Sequence, residues 1–279
     1  MVPIVSMVAM VITLGICTVV PLLALIVYAI KNKGKGVWIA WLLGAAGFFV
    51  MQIVIRTSIL SLVQMMPGFM QFVADYYIVY VAILAFTAAL FEVVARYVVA
   101  KILKKKQCYE VAVGAGLGHG GIEAIVLIGL TYVNNILYSI MINTGAFDTM
   151  VSQTAKMGVD VSQLMMAKKL LITTHPMMYF LAGYERILTM VIHIALTVLV
   201  FYFVSKKKDF VGIILCLLIH TLVDFVPGFI QGLDSYIYIG IKIPETAVYL
   251  IIYAFLTIMA IVGIIITVSI RKKWKKASE

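Results

Sequence analysis

The chain has 279 residues, of which 64% are hydrophobic and 12% are charged. Soluble globular domains are about half apolar and about a quarter charged, so this composition excludes a soluble domain and favours a membrane protein with several spans. The 22 Lys and Arg against 12 Asp and Glu give a formal net charge of +10, which in a soluble protein would suggest nucleic-acid binding.

Apolar runs, separated by basic clusters, predict an all-α bundle of seven transmembrane helices. The first run lacks a basic n-region and a small-residue cleavage site, so we expect it to stay as a helix rather than serve as a signal peptide. The predicted spans cover residues 2–30, 37–63, 77–100, 109–141, 184–205, 210–228 and 246–270. The sequence contains no internal repeat and no soluble insertion. We therefore expect residues 1–279 to form a single transmembrane domain.

Basic clusters follow every odd-numbered span and determine the predicted orientation. They are Lys31/Lys33/Lys35, Lys101/Lys104/Lys105/Lys106, Lys206/Lys207/Lys208 and Arg271/Lys272/Lys273/Lys275/Lys276. The positive-inside rule assigns these clusters to the cytoplasm, which puts the amino terminus outside and the carboxyl terminus in the cytoplasm. The basic excess is then explained by membrane topology, and no nucleic-acid partner is predicted. The absence of a eukaryotic targeting signal favours a multi-pass protein of a bacterial plasma membrane.

The longest outer connection covers about residues 143–183. It contains the patterned stretch MVSQTAKMGVDVSQLMMAKKLL, followed by His175 and Pro176. The pattern of polar and apolar residues predicts an interfacial helix lying along the membrane surface, and the proline predicts that this helix is followed by a break.

Ionisable residues inside the predicted spans are the functional candidates, because a charge at the bilayer centre costs roughly 2.5 kcal/mol or more. Three pairs are spaced i, i+4, so both members of each pair lie on one helix face. The pairs are Glu92/Arg96, His119/Glu123 and His220/Asp224. On a fourth helix Arg186 and His193 are seven residues apart, nearly in line two turns along.

The distances of these residues from the basic flanks predict a common depth. At about 1.5 Å per residue, Glu92, His119, His193 and His220 fall at similar levels, in or just below the cytoplasmic half. If their helices are neighbours, the side chains can share one cavity that opens on that side. Taken alone, each group has a simpler explanation as a buried ion pair or a helix contact. Three histidines and two or three carboxylates at one depth favour a chemical role.

A carboxylate with several imidazoles is a set of groups suited to activating water. The carboxylate can act as general base, while histidines stabilise an oxyanion or hold a metal ion. Zinc is the expected metal if one is bound, since it prefers such ligands, and His119, His193 and His220 are the candidate ligands. The chain has no HExxH motif, so these ligands would come from separate helices. No GxSxG motif indicates a serine nucleophile.

The order and spacing of these motifs resemble a known family. Glu-x-x-x-Arg, a later mid-helix histidine and then His-x-x-x-Asp resemble the CPBP superfamily of intramembrane endopeptidases, which includes type II CAAX prenyl proteases. The finer pattern FE-x-x-x-RY, GHG-x-x-EA, ER-x-x-x-x-x-x-H and H-x-x-x-D is similar to the YhfC family of intramembrane metalloproteases. This resemblance covers about residues 90–225. One departure is that Val93, rather than a second glutamate, follows Glu92.

The resemblance implies an intramembrane protease that hydrolyses a peptide bond in a membrane-associated substrate. By that resemblance Glu92 activates water and Arg96 is its paired arginine, while His193, His220 and Asp224 match the later motifs. His119 and Glu123 match the element particular to the YhfC type. The superfamily mechanism has been described both as glutamate-based and as metal-based, so the resemblance leaves the cofactor open.

Two other functions remain open from the sequence. A proton- or ion-coupled transporter also uses intramembrane carboxylates and histidines, and its substrate site would place a discontinuous helix at the glycine-rich stretch GAGLGHGG. A noncatalytic scaffold related to the protease superfamily would keep the histidines without the chemistry. The absence of a duplicated half and the common depth of the histidines favour the protease.

Overall fold

The computed structural model describes residues 1–233 and 243–276, and this part of the chain contains helices but no strand. The α-helices are α1 (Ile4–Lys31), α2 (Val37–Phe48), α3 (Thr57–Gln64), α4 (Phe69–Asp75), α5 (Tyr77–Ile102), α6 (Tyr109–Glu123), α7 (Leu130–Thr144), α8 (Ala146–Lys156), α9 (Ser162–Thr173), α10 (Pro176–Ser205), α11 (Asp209–Leu233) and α12 (Glu245–Lys276). Two π-helical segments, Phe49–Arg56 and Ala124–Gly129, join α2 to α3 and α6 to α7.

Seven helical stretches in this part of the chain are long and apolar enough to cross a membrane, which confirms the predicted all-α, seven-span class. They cover Ile4–Lys31, Val37–Gln64, Tyr77–Ile102, Tyr109–Thr144, Pro176–Ser205, Asp209–Gly232 and Glu245–Trp274. Many large apolar side chains face outward, among them Leu218 and Leu250, which are 62% and 71% exposed. In a bilayer such side chains contact lipid rather than water.

The fifth span begins at Pro176, eight residues before the predicted start. The helical run is interrupted where the sequence predicts a break, because α9 ends at Thr173 and Pro176 is the first residue of α10. Proline suits that position because its ring fixes φ near the helical value and its missing N–H would have no intrahelical partner there. The preceding connection contains two short helices, α8 and α9, instead of one.

By its internal contacts the chain divides into two compact units, and the larger one comprises residues 24–122 and 188–279. Its core is a continuous apolar cluster containing residues such as Val93, Ala112, Leu196 and Phe201, each at most 2% exposed. All helices that carry the predicted Glu92, Arg96, His119, His193 and His220 contribute to this unit. This division by contacts does not test the prediction of a single transmembrane domain, which stays a prediction.

The smaller unit comprises residues 1–23 and 123–187. Its core includes Met10 and Phe147, both fully buried. Asn143 fixes the start of the chain, since its side chain accepts a hydrogen bond from the Val2 N–H at 2.7 Å and donates one to the Val2 carbonyl at 3.0 Å. Thr13 donates to the Tyr179 carbonyl at 2.6 Å, which joins α1 to α10 within this unit.

The glycine-rich stretch of the sequence lies within the unbroken helix α6. This finding contradicts the discontinuous helix that the transporter interpretation requires at that stretch. The glycines instead permit close helix contact: a Cβ at Gly118 would lie 2.0 Å from the Trp41 carbonyl oxygen, and one at Gly44 would lie 2.0 Å from that of Ala115. Backbones of α2 and α6 therefore approach to a distance that any larger side chain would prevent.

Candidate active site

Glu92 and Arg96 lie one turn apart on α5, in the interior of the larger unit. Arg96 Nη2 donates a hydrogen bond to Glu92 Oε2 at 3.1 Å, and the two side chains are only 1% and 4% exposed. Buried alanines flank them along α5, including Ala88, Ala89 and Ala95. Such small side chains let neighbouring helices approach closely enough to enclose both charges.

Three histidines from three further helices surround the Glu92 carboxylate. His119 Nε2 on α6 lies 2.8 Å from Glu92 Oε2, within hydrogen-bonding distance. His220 Nε2 on α11 and His193 Nδ1 on α10 lie 3.6 and 3.7 Å from the same oxygen. The imidazole centroids of His119 and His193 are 5.3 Å apart, and those of His193 and His220 are 5.5 Å apart. The structure thus brings together the carboxylate and the three intramembrane histidines that the sequence singled out.

Arg96 also contacts two of these histidines, His193 and His220. Its Nη2 lies 2.6 Å from His193 Nδ1 and its Nη1 lies 3.4 Å from His220 Nδ1. Because a guanidinium only donates hydrogen bonds, both Nδ1 atoms must accept, and each neutral ring then carries its proton on Nε2. The Nε2–H of His220 therefore points toward Glu92 and Asp224.

Asp224 lies at the edge of this group. Its Oδ2 is 3.5 Å from His220 Nε2, and its side chain is 33% exposed, in contrast to the nearly inaccessible Glu92. It also lines an open cavity of about 330 Å³, together with Arg56, Tyr77, Tyr80 and Gln231. Asp224 therefore lies between the buried Glu92–histidine cluster and the open cavity.

This cavity extends along α5 from Ala88 to Tyr77, away from the end that carries Lys101. The expected opening on the Lys101 side stays a prediction. Backbones of α2 and α6 approach closely at Gly44 and Ala115. The remaining space between Gly44, Ala115 and His119 leaves no room for a water molecule.

Gln52 is a site residue that the sequence analysis missed. It lies in the π-helical segment Phe49–Arg56, is 9% exposed, and donates from Nε2 to Glu92 Oε1 at 3.1 Å. Its own Oε1 is buried and has no hydrogen-bond partner among the described residues, an arrangement that costs about 1–3 kcal/mol. A lone neutral amide in an apolar run gives little signal, because only the fold reveals its partner.

Arg56 lies at the end of the same π-helical segment and contacts α5. It donates from Nη2 to the Leu84 carbonyl at 2.8 Å and from Nε to Thr87 Oγ1 at 3.3 Å. Both acceptors belong to α5, the helix of Glu92. Arg56 thereby attaches the π-helical segment to that helix.

Glu123 and Arg186, the remaining charged residues of the motifs, pair with each other in the smaller unit. Arg186 Nη1 donates to Glu123 Oε1 at 2.9 Å, and Nη2 of the same arginine also contacts Glu185. The side chains of Arg186 and Glu123 are 11% and 12% exposed. Glu123 is thus a partner of Arg186.

The chain is also similar to known proteins. Residues 16–248 match the family described as YhfC intramembrane metalloprotease. The chain belongs to the YhfC family. It is 31% identical over 137 residues to the "Uncharacterized membrane protein YhfC" of Bacillus subtilis (strain 168). That match covers 48% of this chain and 51% of the relative, so the chain spans about half the length of the curated relative it matches. No solved structure matches the chain.

The YhfC family name implies a metal ion, and the donor set of this chain fits one. Ligand atoms of Glu92, His119 and His193 all lie within 4.8 Å of one another, and all three residues are buried. A carboxylate oxygen with imidazole nitrogens suits zinc and several other divalent ions. This group contains Glu92 in place of the predicted third histidine, His220. Arg96 uses lone pairs of two of these residues, so its hydrogen bonds and a metal ion would compete for the same atoms.

Proposed function

We propose that this YhfC-family protein is an intramembrane endopeptidase that hydrolyses a peptide bond of a membrane-associated substrate. The observation that carries the proposal is the Glu92 carboxylate, buried and contacted by three imidazoles and a guanidinium. In an apolar interior such groups act at low local dielectric and are fixed before the reaction begins. No ordinary packing role requires five ionisable side chains from four helices at one position.

In this proposal Glu92 is the general base. It accepts a proton from a water molecule while the water oxygen attacks the carbonyl carbon, and it later returns the proton to the leaving amine. We assign His220 to stabilise the negative charge that develops on the carbonyl oxygen, for which its Nε2–H would turn from Glu92 and Asp224 to the substrate, and His193 lies beside His220. Arg96 orients both rings through their Nδ1 atoms, and Asp224 orients His220 through Nε2.

Glu92, His119 and His193 are the residues that would hold a metal ion. When bound, such an ion supplies Lewis-acid polarisation and a more acidic water molecule. We assign Glu123 a positioning role, because its contact with Arg186 stabilises the region of the chain that follows His119.

The substrate would reach the site through the cavity that borders Asp224. Its lining combines apolar side chains such as Val81 and Leu84 with polar groups at Tyr77 and Gln231. A peptide within a membrane presents a similar mixture of apolar side chains and backbone polar groups. Under the predicted topology this cavity lies toward the outer half of a bacterial plasma membrane.

The orientation itself is testable with single cysteines in a chain whose Cys17, Cys108 and Cys216 are replaced by alanine. Lys33 and Lys169 are both exposed and lie in connections predicted to be on opposite sides of the membrane. In intact cells a membrane-impermeant maleimide should label K169C and leave K33C unlabelled until the cells are permeabilised. Labelling of K33C in intact cells would reverse the topology.

The catalytic assignment is tested with purified protein and a quenched fluorescent casein, a flexible general protease substrate. Glu92→Gln and His220→Ala should lower kcat by at least about 100-fold, while the control His175→Ala, outside the cluster, should keep the wild-type rate. Wild-type rates in folded, correctly inserted Glu92→Gln and His220→Ala protein would reject the assignment. Solute flux through proteoliposomes without casein cleavage would favour the transporter instead.

A further inference from the structure

The two oxygens of Glu92 have different surroundings. Oε2 faces Arg96 and all three histidines, at distances between 2.8 and 3.7 Å. Oε1 receives its hydrogen bond from Gln52, at 3.1 Å. Oε2 is thus contacted by charged and imidazole groups, whereas the described contact of Oε1 is with the neutral amide of Gln52.

Gln52 presents one end of its amide to Glu92 and leaves the other end without a partner. Its Nε2 must face the carboxylate, because a carboxylate accepts and does not donate. Its Oε1 is thereby turned to a buried position where the described residues provide no donor. Buried acceptors are nearly always paired with protein or with ordered water. The vacant lone pairs of Gln52 therefore indicate a ligand that carries a hydrogen.

The local backbone holds Gln52 in this position. Gln52 and Arg56 lie in the same π-helical segment, and π-helical turns are frequent at functional sites. Arg56 binds the Leu84 carbonyl and the Thr87 hydroxyl of α5, so the segment is attached to the helix that carries Glu92. Thr57 Oγ1 donates to the Gln52 carbonyl at 2.9 Å and supports the end of the segment.

We infer that Gln52 Oε1 and Glu92 Oε1 together bind the water molecule that is consumed in hydrolysis. This inference deepens the proposed protease function and rests on it. One hydrogen of that water is directed to Glu92, which removes it, and the other is donated to Gln52. Both hydrogens are then fixed, and an oxygen lone pair points away from the two acceptors toward the substrate carbonyl. Gln52 is in this sense a positioning residue for the nucleophile.

Kinetics of a glutamine variant test the inference. Gln52→Met keeps the length and volume of the side chain but removes both hydrogen-bonding atoms. In casein hydrolysis we expect kcat to fall by at least about 10-fold, with KM changed by less than about 2-fold and thermal stability retained. The matched control is Gln64→Met at the end of the same span, where the side chain is exposed; its kcat should equal that of the wild type.

A second variant covers the case in which Gln52→Met loses stability. Gln52→Ala removes the amide and leaves space, so added acetamide should restore part of kcat, whereas acetone, which cannot donate to Glu92, should restore less. A wild-type kcat in Gln52→Met would overturn the inference. So would a loss of kcat that parallels a loss of stability and that acetamide does not reverse in Gln52→Ala.

An experimental structure of the wild type that resolves ordered water provides a test independent of activity. A water molecule within hydrogen-bonding distance of Gln52 Oε1 and Glu92 Oε1 is expected. A protein donor on Gln52 Oε1, or no water beside it, would refute the binding position. If the wild type shows no cleavage while the water is present, the protease proposal fails and the water-binding position stands.

Discussion

Replacing Arg96 by methionine is expected to destabilise the protein by about 3–5 kcal/mol, because it leaves the Glu92 charge buried without its partner. The Arg96 side chain is 1% exposed, and it contacts Glu92, His193 and His220. Glu92→Gln should cost a similar amount for the reciprocal reason. These losses concern folding and are separate from any effect on the reaction.

The magnitude follows from the geometry of the pair. Two unit charges 3.1 Å apart attract by about 5 kcal/mol at an effective dielectric constant of about 20. Removing both charges together also removes the cost of burying them, so the double variant Glu92→Gln/Arg96→Met should be destabilised by far less than the sum. The coupling free energy of the double-mutant cycle should therefore be about 3 kcal/mol or more.

The coupling is obtained from the unfolding free energies of the wild type, the two single variants and the double variant, all measured in one detergent–lipid mixture. Asp148 and Lys168 provide a control cycle, since they form an ion pair in which the Asp148 side chain is 64% exposed, and their coupling should stay below about 1 kcal/mol. Additive effects of Glu92→Gln and Arg96→Met, with no more coupling than the control pair, would show that the buried charges do not depend on each other. The description of Arg96 as the link between Glu92 and the histidines would then be wrong.

Three further predictions concern the metal, the helix contacts and the chain terminus. His119→Ala should reduce the zinc content of purified protein measured by elemental analysis, whereas His175→Ala should leave it unchanged; equal zinc in both would exclude His119 as a ligand. Gly118→Ala should destabilise the fold by about 1–3 kcal/mol, because its Cβ would lie 2.0 Å from a carbonyl oxygen of α2; Gly15→Ala, with nothing within 4 Å, should be tolerated in the same thermal unfolding assay. Asn143→Ala removes two hydrogen bonds to the amino-terminal backbone and should lower the unfolding free energy by about 1–3 kcal/mol; an unchanged value would mean that water replaces both bonds.

The parts of the structure that the sequence could predict depend on local periodicity and on the cost of charge in a bilayer. Apolar runs between basic clusters determined the seven spans, since few other structures bury so many consecutive apolar residues. Helical spacing put Glu92 and Arg96 on one face, and the common depth of His119, His193 and His220 predicted that they meet. Charges in apolar spans are costly, so each had to find a partner, and the partners available were these few residues.

The parts that could not be predicted depend on contacts between distant segments and on departures from regular helix. Gln52 is neutral, so its position in an apolar span does not indicate a functional role. It approaches Glu92 from the π-helical segment. Glu123 shares a helix face with His119 under regular spacing, but its described partner is Arg186, 63 residues further along the chain. Spacing within one helix does not determine which neighbouring helix supplies the partner.

Arg96 affects both the stability of the site and the chemistry that Glu92 can perform. The Arg96 guanidinium contacts Glu92 and two of the histidines, so a divalent cation bound at these residues would lie beside a positive charge. A metal ion bound through Glu92 Oε2 and His193 Nδ1 would take lone pairs that Arg96 now uses. Glu92 Oε2 is contacted by Arg96 and His119, while Glu92 Oε1 lies beside Gln52. A metal-based reaction would require the Arg96 guanidinium to move away from Glu92 and His193, whereas activation of water at Glu92 Oε1 would leave these contacts in place.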